Sequence, residues 1–334
     1  MRVVIIGATG HVGGYLVPRL VSAGHEVVGV SRGRSDPYRA DPAWDQVERI
    51  SLDREQGDAD GTFAGRIADL RADVVIDMVC FTRDSAAQLV EALRGRVEHL
   101  ISCGTIWTHG HATEVPVVEG EARQPTDDYG RGKLQIEDLL LAESARPGGL
   151  PSTVLHPGHI TGPGWHVINP AANLDPDVWR RLAVGEEVLL PNFGLETVHH
   201  VHADDVAQSF QLALENRTAA VGEGFHVVSE RAITLRGFAE SVAGWFGRPA
   251  NLRFAPFDEF AAATDPQHAA ATREHISRSP SMSIEKARRM LGYTPAYTTL
   301  QAAAEALRWL GENGEVDLGG AELKLDERTG DVRR

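Results

Sequence analysis

Cysteine is almost absent from this chain: only Cys80 and Cys103 occur among 334 residues. Two thiols exclude a disulfide framework and make a thiolate metal site implausible. Basic residues are also in deficit, because 33 lysines and arginines stand against 47 aspartates and glutamates, which gives a net charge of -14. Binding to nucleic acid or to an anionic membrane surface relies on clustered basic side chains, so we expect neither partner.

Long hydrophobic runs are missing as well. No apolar stretch approaches the ~20 residues that cross a bilayer. The first predicted strand leads straight into a glycine-rich turn, without the apolar core and cleavage site of a secretory leader. We therefore expect a soluble, cytoplasmic protein. Apolar residues make up 42% of the chain, which is enough for a sizeable core in one large domain or two smaller ones.

Short apolar runs alternate with segments of helical periodicity through the first half of the chain. Residues 2–6 form an apolar run that Gly7 stops, which is typical of a strand buried on both faces of a parallel sheet. Helical spacing of apolar residues follows over 12–23. The pattern repeats, with strands predicted at 26–30, 47–52, 73–79, 97–102 and 151–156 and helices at 61–70, 83–94 and 127–146. This alternation predicts an α/β fold with a doubly wound parallel sheet of the Rossmann type.

The rhythm changes after residue 156, in a loop rich in proline, glycine and histidine. Later elements are shorter, with helices predicted at 176–184, 203–215, 235–246, 284–291 and 300–310 and strands near 188, near 197 and at 225–228. We predict a smaller C-terminal α/β lobe that binds the substrate. The expected domains are 1–160 with parts of 195–230 for the cofactor, 161–194 and 231–312 for the substrate, and 313–334 as a flexible polar tail.

A glycine-rich turn joins the first strand to the first helix. Gly7, Gly10 and Gly13 are spaced as GxxGxxG. In this context Gly7 permits a tight turn, Gly10 lets backbone N–H groups approach a pyrophosphate, and Gly13 lets helix and strand pack closely. The helix N-terminus then faces the phosphates. The turn therefore predicts a dinucleotide site, to which its other members Thr9, His11 and Val12 also contribute.

The end of the second strand indicates which dinucleotide to expect. An acidic residue there would bind the ribose hydroxyls and repel a 2'-phosphate, but this chain has Ser31 followed by Arg32. Ser31 leaves room, and a guanidinium can grip a phosphate with two hydrogen bonds, so NADP is favoured over NAD. The alternative is that Arg32 and Arg34 are plain solvated charges. Asp53 is expected to meet the adenine amino group or else to cap a helix, and Val79 to line the cofactor site.

Tyr129 and Lys133 are four residues apart, so on a helix they share one face. A phenol with its ordinary pKa of about 10 is a poor base at neutral pH. The ammonium is expected to lower that pKa and make the phenol a workable proton shuttle, while it also holds the nicotinamide ribose. Lysine occurs only three times in the chain, which makes a chance pairing improbable.

Histidine is frequent, with 14 residues, several of them in the loops after the fifth and sixth strands. No HExxH motif, cysteine pair or carboxylate at ligand spacing accompanies them, so we expect no metal site. We expect substrate contacts from His109, His159 and Asn169 instead.

Several motifs together resemble one family. They are GATGHVG at the N-terminus, YGRGK at 129–133, HPGHITGPG at 156–164, VHHVHADDVA at 198–207 and MSIEKARRMLGYTP at 282–295. The chain resembles the extended short-chain dehydrogenase/reductases, which include nucleotide-sugar epimerases and dehydratases. The resemblance implies that Tyr129 is the general acid/base, that Lys133 activates it and binds the ribose, and that the backbone from Pro157 to His159 flanks the nicotinamide. It also implies a small-molecule substrate and allows a homodimer through the helices at 83–94 and 127–146.

One departure from the family pattern concerns the hydroxyl that hydrogen-bonds the reacting oxygen. The family usually has a serine or threonine after the fifth strand, whereas Cys103 falls on or beside that position here. A thiol is a weak hydrogen-bond donor. Either Thr105 or Ser102 supplies the hydroxyl, or the site is altered or inactive.

The first functional hypothesis is an enzyme that moves hydride between NADP and a hydroxyl-bearing carbon of a sugar, nucleotide sugar or related metabolite. It covers reductases, epimerases and dehydratases. Dehydration is disfavoured, because Gly104 and Thr105 stand where an extra acid pair is needed. A nucleotide-sugar substrate is also weakened, since only Arg273 and Arg278 in 257–281 could bind its pyrophosphate.

The second hypothesis is a non-catalytic NADP-binding regulator on the same scaffold. Cys103 in place of the family hydroxyl favours it. The intact pair of Tyr129 and Lys133 opposes it, because a sensor needs no proton shuttle.

Overall fold

A computed structural model describes residues 1–37 and 39–324 of the chain. In chain order the strands are β1 (Arg2–Ile6), β2 (Glu26–Ser31), β3 (Glu48–Ser51), β4 (Val74–Asp77), β5 (His99–Cys103), β6 (Ser152–Pro157), β7 (His159–Thr161), β8 (Val188–Pro191), β9 (Thr197–Val198), β10 (His200–His202), β11 (Gly224–Val227), β12 (Ile233–Thr234) and β13 (Leu252–Ala255). Seven of them form one sheet in the order β11-β6-β5-β4-β1-β2-β3, and every pair in it is parallel.

The helices are α1 (Gly13–Ser22), α2 (Arg54–Ala59), α3 (Phe63–Ala68), α4 (Arg83–Leu93), α5 (Asp128–Ala145), α6 (Pro176–Val184), α7 (Ala203–Glu215), α8 (Arg217–Ala220), α9 (Leu235–Trp245), α10 (Phe257–Ala262), α11 (Pro266–Arg278), α12 (Glu285–Leu291) and α13 (Thr299–Glu312). Short 3-10 turns lie at Pro42–Gln46 and Ile106–His109. No helix in the described part of the chain is long and apolar enough to cross a membrane.

The sheet is covered by helices on both faces, as strand β1 shows. Side chains along a strand point alternately to opposite faces. Val3 and Ile5 accordingly pack with α1 and α7, whereas Val4 and Ile6 pack with α3, α4 and α5. A strand buried on both sides must be apolar throughout, which is why its sequence is an unbroken apolar run. The predicted doubly wound α/β sheet is confirmed.

A second, smaller core lies beyond the sheet. It contains the buried aromatic side chains of Trp179 on α6 and of Phe238 and Trp245 on α9, packed with α13. Small two-stranded pairings border it: β8 with β13, β7 with β10, and β9 with β12. The predicted smaller C-terminal lobe is therefore present.

Two features of local structure differ from the sequence predictions. The helix predicted at 61–70 is replaced by α2 and α3, because Asp53 caps an earlier helix and Gly61, at φ +72°, separates the two. Helices α10 and α11 occupy an alanine-rich segment for which no element was predicted. Asp265 caps α11 by accepting from two backbone N–H groups, and Pro266 follows at its first position, so a start signal was present.

The first part of the segment predicted as a flexible tail contacts the lobe. Val316 is 5% exposed, and Leu318, Ala321 and Leu323 pack against the lobe core. The backbone N–H of Lys324 donates to the carbonyl of Trp245 at 2.7 Å. A few apolar side chains thus pack against the lobe, although the overall composition of the segment is polar. The rest of the expected tail, 325–334, lies outside the described residues.

Candidate active site

A cleft of about 880 Å³ opens at the carboxyl ends of the central strands. This is where open parallel sheets bind ligands, because the strand-to-helix loops diverge there. All of the residues expected to bind the cofactor up to residue 79 line it: Gly7, Thr9, Gly10, His11, Val12, Gly13, Ser31, Arg32, Asp53 and Val79. Tyr129, Lys133, Pro157 and His159 are not part of that wall.

The glycine turn leaves no room for side chains. Gly7 has φ +92°, and a Cβ there would lie 2.9 Å from Val79 Cγ1. A Cβ on Gly13 would lie 1.9 Å from the carbonyl oxygen of Ala8, which is a clash with backbone. No side chain caps the start of α1, so its first N–H groups face the cleft without a competing carboxylate or hydroxyl. The turn therefore fits a pyrophosphate-bearing dinucleotide.

The second strand ends in a basic edge. Arg32 and Arg34 both line the cleft beside Ser31 and are exposed. Arg34 Nη2 lies 3.0 Å from Asp53 Oδ2, and Asp53 Oδ1 also accepts from the N–H of Gln56 as the cap of α2. Of the two roles left open for Asp53, helix capping is therefore present, and Asp53 at the same time borders the cleft.

Several cleft residues were missed from the sequence. Arg54 is held by Asp77 Oδ1 at 2.7 Å from Nη1 and by Ser85 Oγ at 2.8 Å from Nε. Trp165, from the loop after β7, stacks on His11 with ring centres 5.2 Å apart and planes 6° apart. Asp77 ends β4 and Arg54 follows β3, and such positions in the sequence indicate cleft residues. The position of Trp165 across the cleft depends instead on how the lobe packs.

Tyr129 and Lys133 lie on one face of α5, near the Cys103 end of the cleft. Lys133 is 3% exposed, and its Nζ donates to the carbonyl of Cys103 at 2.7 Å. The same nitrogen is 4.8 Å from the centre of the Phe81 ring and 5.8 Å from that of Tyr129. The hydroxyl of Tyr129 lies next to that of Thr105, which acts to lower the pKa of the phenol.

The expected lowering of the Tyr129 pKa is wrong for this arrangement. Burial of the hydroxyl raises the pKa of Tyr129 to about 12; the neighbouring Cys103 adds to the rise, and the hydroxyl of Thr105 opposes it. The ring itself keeps 44% of its surface exposed, edge-on to Trp107 at 6.0 Å. The ammonium of Lys133 is directed at the carbonyl of Cys103. The burial of the Tyr129 hydroxyl therefore outweighs any lowering of its pKa by the ammonium.

Three groups were candidates for the missing family hydroxyl. Thr105 contacts Tyr129, is almost fully buried and caps the 3-10 turn by accepting from the N–H of Trp107 at 3.3 Å. Cys103 lines the cleft, but burial raises the pKa of its thiol. Ser102 is buried within β5, in register with Asp77. Of the two candidate hydroxyls, Thr105 is therefore the one beside Tyr129, and the thiol of Cys103 also lies near it.

The expected substrate residues are scattered. His159 has both ring nitrogens buried without a hydrogen bond to any described residue, and its ring is 4.9 Å from that of His275. His109 lies in the interior, with Nε2 2.8 Å from His226 Nε2. Asn169 has its amide engaged within its own loop, by Asn173 Oδ1 at 2.7 Å and by backbone groups, so it does not face the cleft.

No cluster of three or more histidine, cysteine or acidic side chains with the geometry of a metal site occurs within 1–37 and 39–324. Most of the imidazoles named above donate to backbone carbonyls or to each other. Histidine abundance in this chain therefore follows from internal hydrogen bonding.

Arg278 ties the C-terminal lobe to α5, the helix that carries Tyr129 and Lys133. It is 3% exposed, and its guanidinium pairs with Asp127, donates to the carbonyl of Glu274 at 2.6 Å and lies 3.9 Å from the ring centre of Trp107. Asp127 in turn caps α5 by accepting from the N–H of Gly130 at 2.6 Å. Arg278 is thus engaged before any substrate arrives and is a poor candidate for a pyrophosphate ligand.

Replacing Arg278 by alanine is expected to lower the free energy of unfolding by about 3–5 kcal/mol, because it leaves Asp127 partly buried without its partner. Urea unfolding followed by tryptophan fluorescence measures the change. Arg273→Ala is the matched control: its side chain is exposed, so a change within about 0.5 kcal/mol is expected. Equal losses for both variants would contradict the assigned role of Arg278.

The chain is similar to several known proteins. A family model described as "NAD dependent epimerase/dehydratase family" matches residues 3–227. The 2'-dehydrokanamycin reductase of Streptomyces kanamyceticus is 29% identical over 252 residues, covering 75% of this chain and 68% of that protein. The UDP-glucose 4-epimerase of Streptomyces lividans is 26% identical over 340 residues, covering 92% of this chain and 95% of that protein.

Solved structures show the same fold. The UDP-glucuronic acid 4-epimerase of Bacillus cereus, in complex with UDP-glucuronic acid and NAD, matches with a TM-score of 0.71 at 16% identity, over 94% of this chain and 100% of that one. The family match spans more than half of the chain and includes both the glycine turn and the helix of Tyr129 and Lys133. The chain therefore belongs to the NAD-dependent epimerase/dehydratase family, as its motifs predicted, and is an enzyme of the oxidoreductase or epimerase type.

Proposed function

We propose that this chain is an NADP(H)-dependent reductase or epimerase acting at a hydroxyl-bearing carbon of a sugar or nucleotide sugar, with Tyr129 as the acid/base. The observation that carries the proposal is the contact between the hydroxyls of Tyr129 and Thr105, beside the buried Lys133, where Cys103 borders the cleft.

Each polar group has a role in this proposal. The bound dinucleotide supplies hydride transfer. Lys133 gives one N–H to the carbonyl of Cys103 and keeps two for a ribose. Thr105 orients the reacting oxygen, taking the place of the usual family hydroxyl. The raised pKa of Tyr129 keeps its phenol protonated at neutral pH, so it donates a proton to the oxygen of a ketone as that ketone is reduced.

The experiment is an NADPH oxidation assay on a panel of keto sugars. Because one relative is a 2'-dehydrokanamycin reductase and others are UDP-glucose 4-epimerases, the panel contains 2'-dehydrokanamycin, 4-keto nucleotide sugars and, for epimerisation, UDP-glucose. We expect oxidation of NADPH with a keto sugar or interconversion of the nucleotide sugar. Binding of NADPH without either reaction across the panel would overturn the enzymatic proposal.

The preference for NADP over NAD rests on Arg32 and Arg34 at the edge of the cleft. Arg32→Ala is expected to raise the Kd for NADPH about tenfold and to leave that for NADH unchanged, because only NADPH carries the phosphate that the guanidinium binds. Quenching of tryptophan fluorescence measures both constants. Arg66→Ala, on an exposed face of α3 away from the cleft, is the control. Equal weakening of both cofactors by Arg32→Ala would argue against a bound 2'-phosphate.

A second candidate function is a non-catalytic NADP-binding regulator. Two observations favour it: Cys103 stands in place of the family hydroxyl, and the Tyr129 pKa is raised rather than lowered. It predicts cofactor binding without turnover, and comparison with Tyr129→Phe separates it from the enzyme.

A further inference from the structure

A buried chain of polar groups lies behind the two hydroxyls. On α5, Glu137 follows Tyr129 and Lys133 at the same four-residue spacing and so shares their face. Its Oε1 is 3.0 Å from His156 Nε2, and His156 Nδ1 is 3.1 Å from the carbonyl oxygen of Thr105. Glu137 and His156 are both 0% exposed. The chain of contacts thus starts on the catalytic helix and ends on the backbone of the residue that meets Tyr129.

Both nitrogens of this imidazole face oxygen acceptors, which determines where protons must be. The Nδ1–H of His156 donates to the carbonyl of Thr105, because a carbonyl oxygen can only accept. Its Nε2 then faces a carboxyl oxygen of Glu137, and two lone pairs at hydrogen-bond distance require a proton between them. Burial, followed by the charge of Arg123, lowers the pKa of His156 to about 3, which leaves the imidazole neutral. The hydrogen bond between Glu137 Oε1 and His156 Nε2 therefore holds one shared proton.

The space around the pair is shaped by two glycines. A Cβ on Gly104 would lie 2.9 Å from His156 Nδ1. A Cβ on Gly224 would lie 2.8 Å from Glu137 Oε1 and 3.0 Å from His156 Nε2. The second oxygen of Glu137 is in an ion pair with Arg123. Side chains at either glycine would displace the pair, and every polar atom of the carboxyl and the ring has one defined neighbour.

We propose that Glu137 and His156 are positioning residues that, as a pair sharing one proton, hold the carbonyl of Thr105 and thereby keep its hydroxyl against Tyr129. The inference rests on the proposed role of Tyr129 and extends it to two groups that do not reach the cleft. Removing the pair takes away the contact from His156 but leaves the hydrogen bond that Thr108 Oγ1 donates to the same carbonyl at 3.1 Å. We therefore expect Thr105 to shift relative to Tyr129, while the glycine turn and cofactor binding are unaffected.

Fluorine NMR of protein labelled with fluorotyrosine tests this without any substrate. The resonance of Tyr129 is assigned by its loss in Tyr129→Phe. Glu137→Ala is expected to shift that resonance in the same direction as Thr105→Val, and the double variant to shift it no further, because both act through one contact. Glu137→Gln is expected to leave it in place, since an amide N–H can donate to His156 Nε2 while the amide oxygen faces Arg123.

Glu143→Ala is the matched control on the same helix. Glu143 is 3% exposed and ion-paired with Arg94, so its loss also destabilises the fold, but it has no path to Tyr129. The proposal is overturned if Glu137→Ala binds NADPH and leaves the Tyr129 resonance unshifted, or if Glu143→Ala shifts it equally. If Glu137→Ala does not fold, Glu137→Asp, whose carboxyl is too short to reach the ring, carries the same expectation.

These outcomes are distinct from those of the proposed function. A keto-sugar panel that gives no turnover leaves the fluorine result interpretable, because the Tyr129 environment is read directly. If the Tyr129 resonance is shifted in Glu137→Ala and unshifted in Glu137→Gln, the positioning role of Glu137 and His156 is supported, even when no panel member is turned over.

Discussion

Acidification from about pH 7 to about pH 5 is expected to unfold this protein. Six histidines have pKa values that burial lowers to about 3 or about 4: His11, His99, His109, His156, His199 and His200. In the unfolded chain the pKa of a histidine is about 6.5. Below that pH the unfolded chain therefore binds protons that the folded chain does not bind. The stability they contribute is complete above pH ~6.5 and is lost as the pH falls towards the folded values.

The magnitude decides the outcome. Each of these histidines lowers the free energy of unfolding by about 2 kcal/mol at pH 5. Six of them together approach the whole free energy of unfolding of a typical domain. Asp205 acts in the opposite direction, because burial raises its pKa to about 6 and its protonation below that pH favours the folded state. One carboxyl offsets only a fraction of six imidazoles.

The measurement is the free energy of unfolding in urea at a series of pH values. His200→Gln is expected to move the acid midpoint to lower pH, because an amide can donate to the carbonyl of Ile168 as His200 Nε2 does at 3.2 Å and cannot be protonated. His166 is exposed, and His166→Gln should leave the midpoint unchanged. A fold that persists below about pH 4 would show that these imidazoles are solvated.

Tyr129→Phe is expected to lower kcat on the reacting keto sugar by about 10²–10⁴-fold, because it removes the proton donor while keeping the ring. The KM and the Kd for NADPH are expected to change little, since the hydroxyl contacts Thr105 and not the glycine turn. Single-turnover oxidation of bound NADPH measures the chemical step.

Tyr297→Phe serves as its control. That ring stacks on His202 with centres 3.8 Å apart, remote from Lys133, so activity is expected to stay at the wild-type level. If Tyr129→Phe turns over as fast as the wild type, Tyr129 is not the acid/base. If neither protein turns over any panel member but both bind NADPH, the regulator hypothesis is supported.

The elements predictable from sequence are those with a local cause. A strand such as β1 is apolar throughout because helices cover both of its faces, and the glycine spacing reports a turn that excludes side chains. The pairing of Tyr129 with Lys133 follows from helical periodicity alone. These features need no knowledge of the lobe.

Features that depend on distant partners were not predictable. The direction of the Tyr129 pKa shift depends on the burial of the hydroxyl and on its neighbours, of which Cys103 raises the pKa and Thr105 lowers it; the spacing of residues in the sequence does not report this. Arg278 looked like a free cation because its partner, Asp127, is 151 residues away in sequence. The contacts of Val316, Leu318 and Leu323 likewise depend on a complementary surface of the lobe.

The clamp between Arg278 and Asp127 bears on attempts to change specificity by exchanging lobes. A graft of a relative's C-terminal half would remove Arg278. Asp127, at the start of α5, would then lose its ion-pair partner, and Trp107 would lose the guanidinium that packs against its ring. Chimeras of this enzyme therefore need a junction that transfers residues 107, 127 and 278 as one unit.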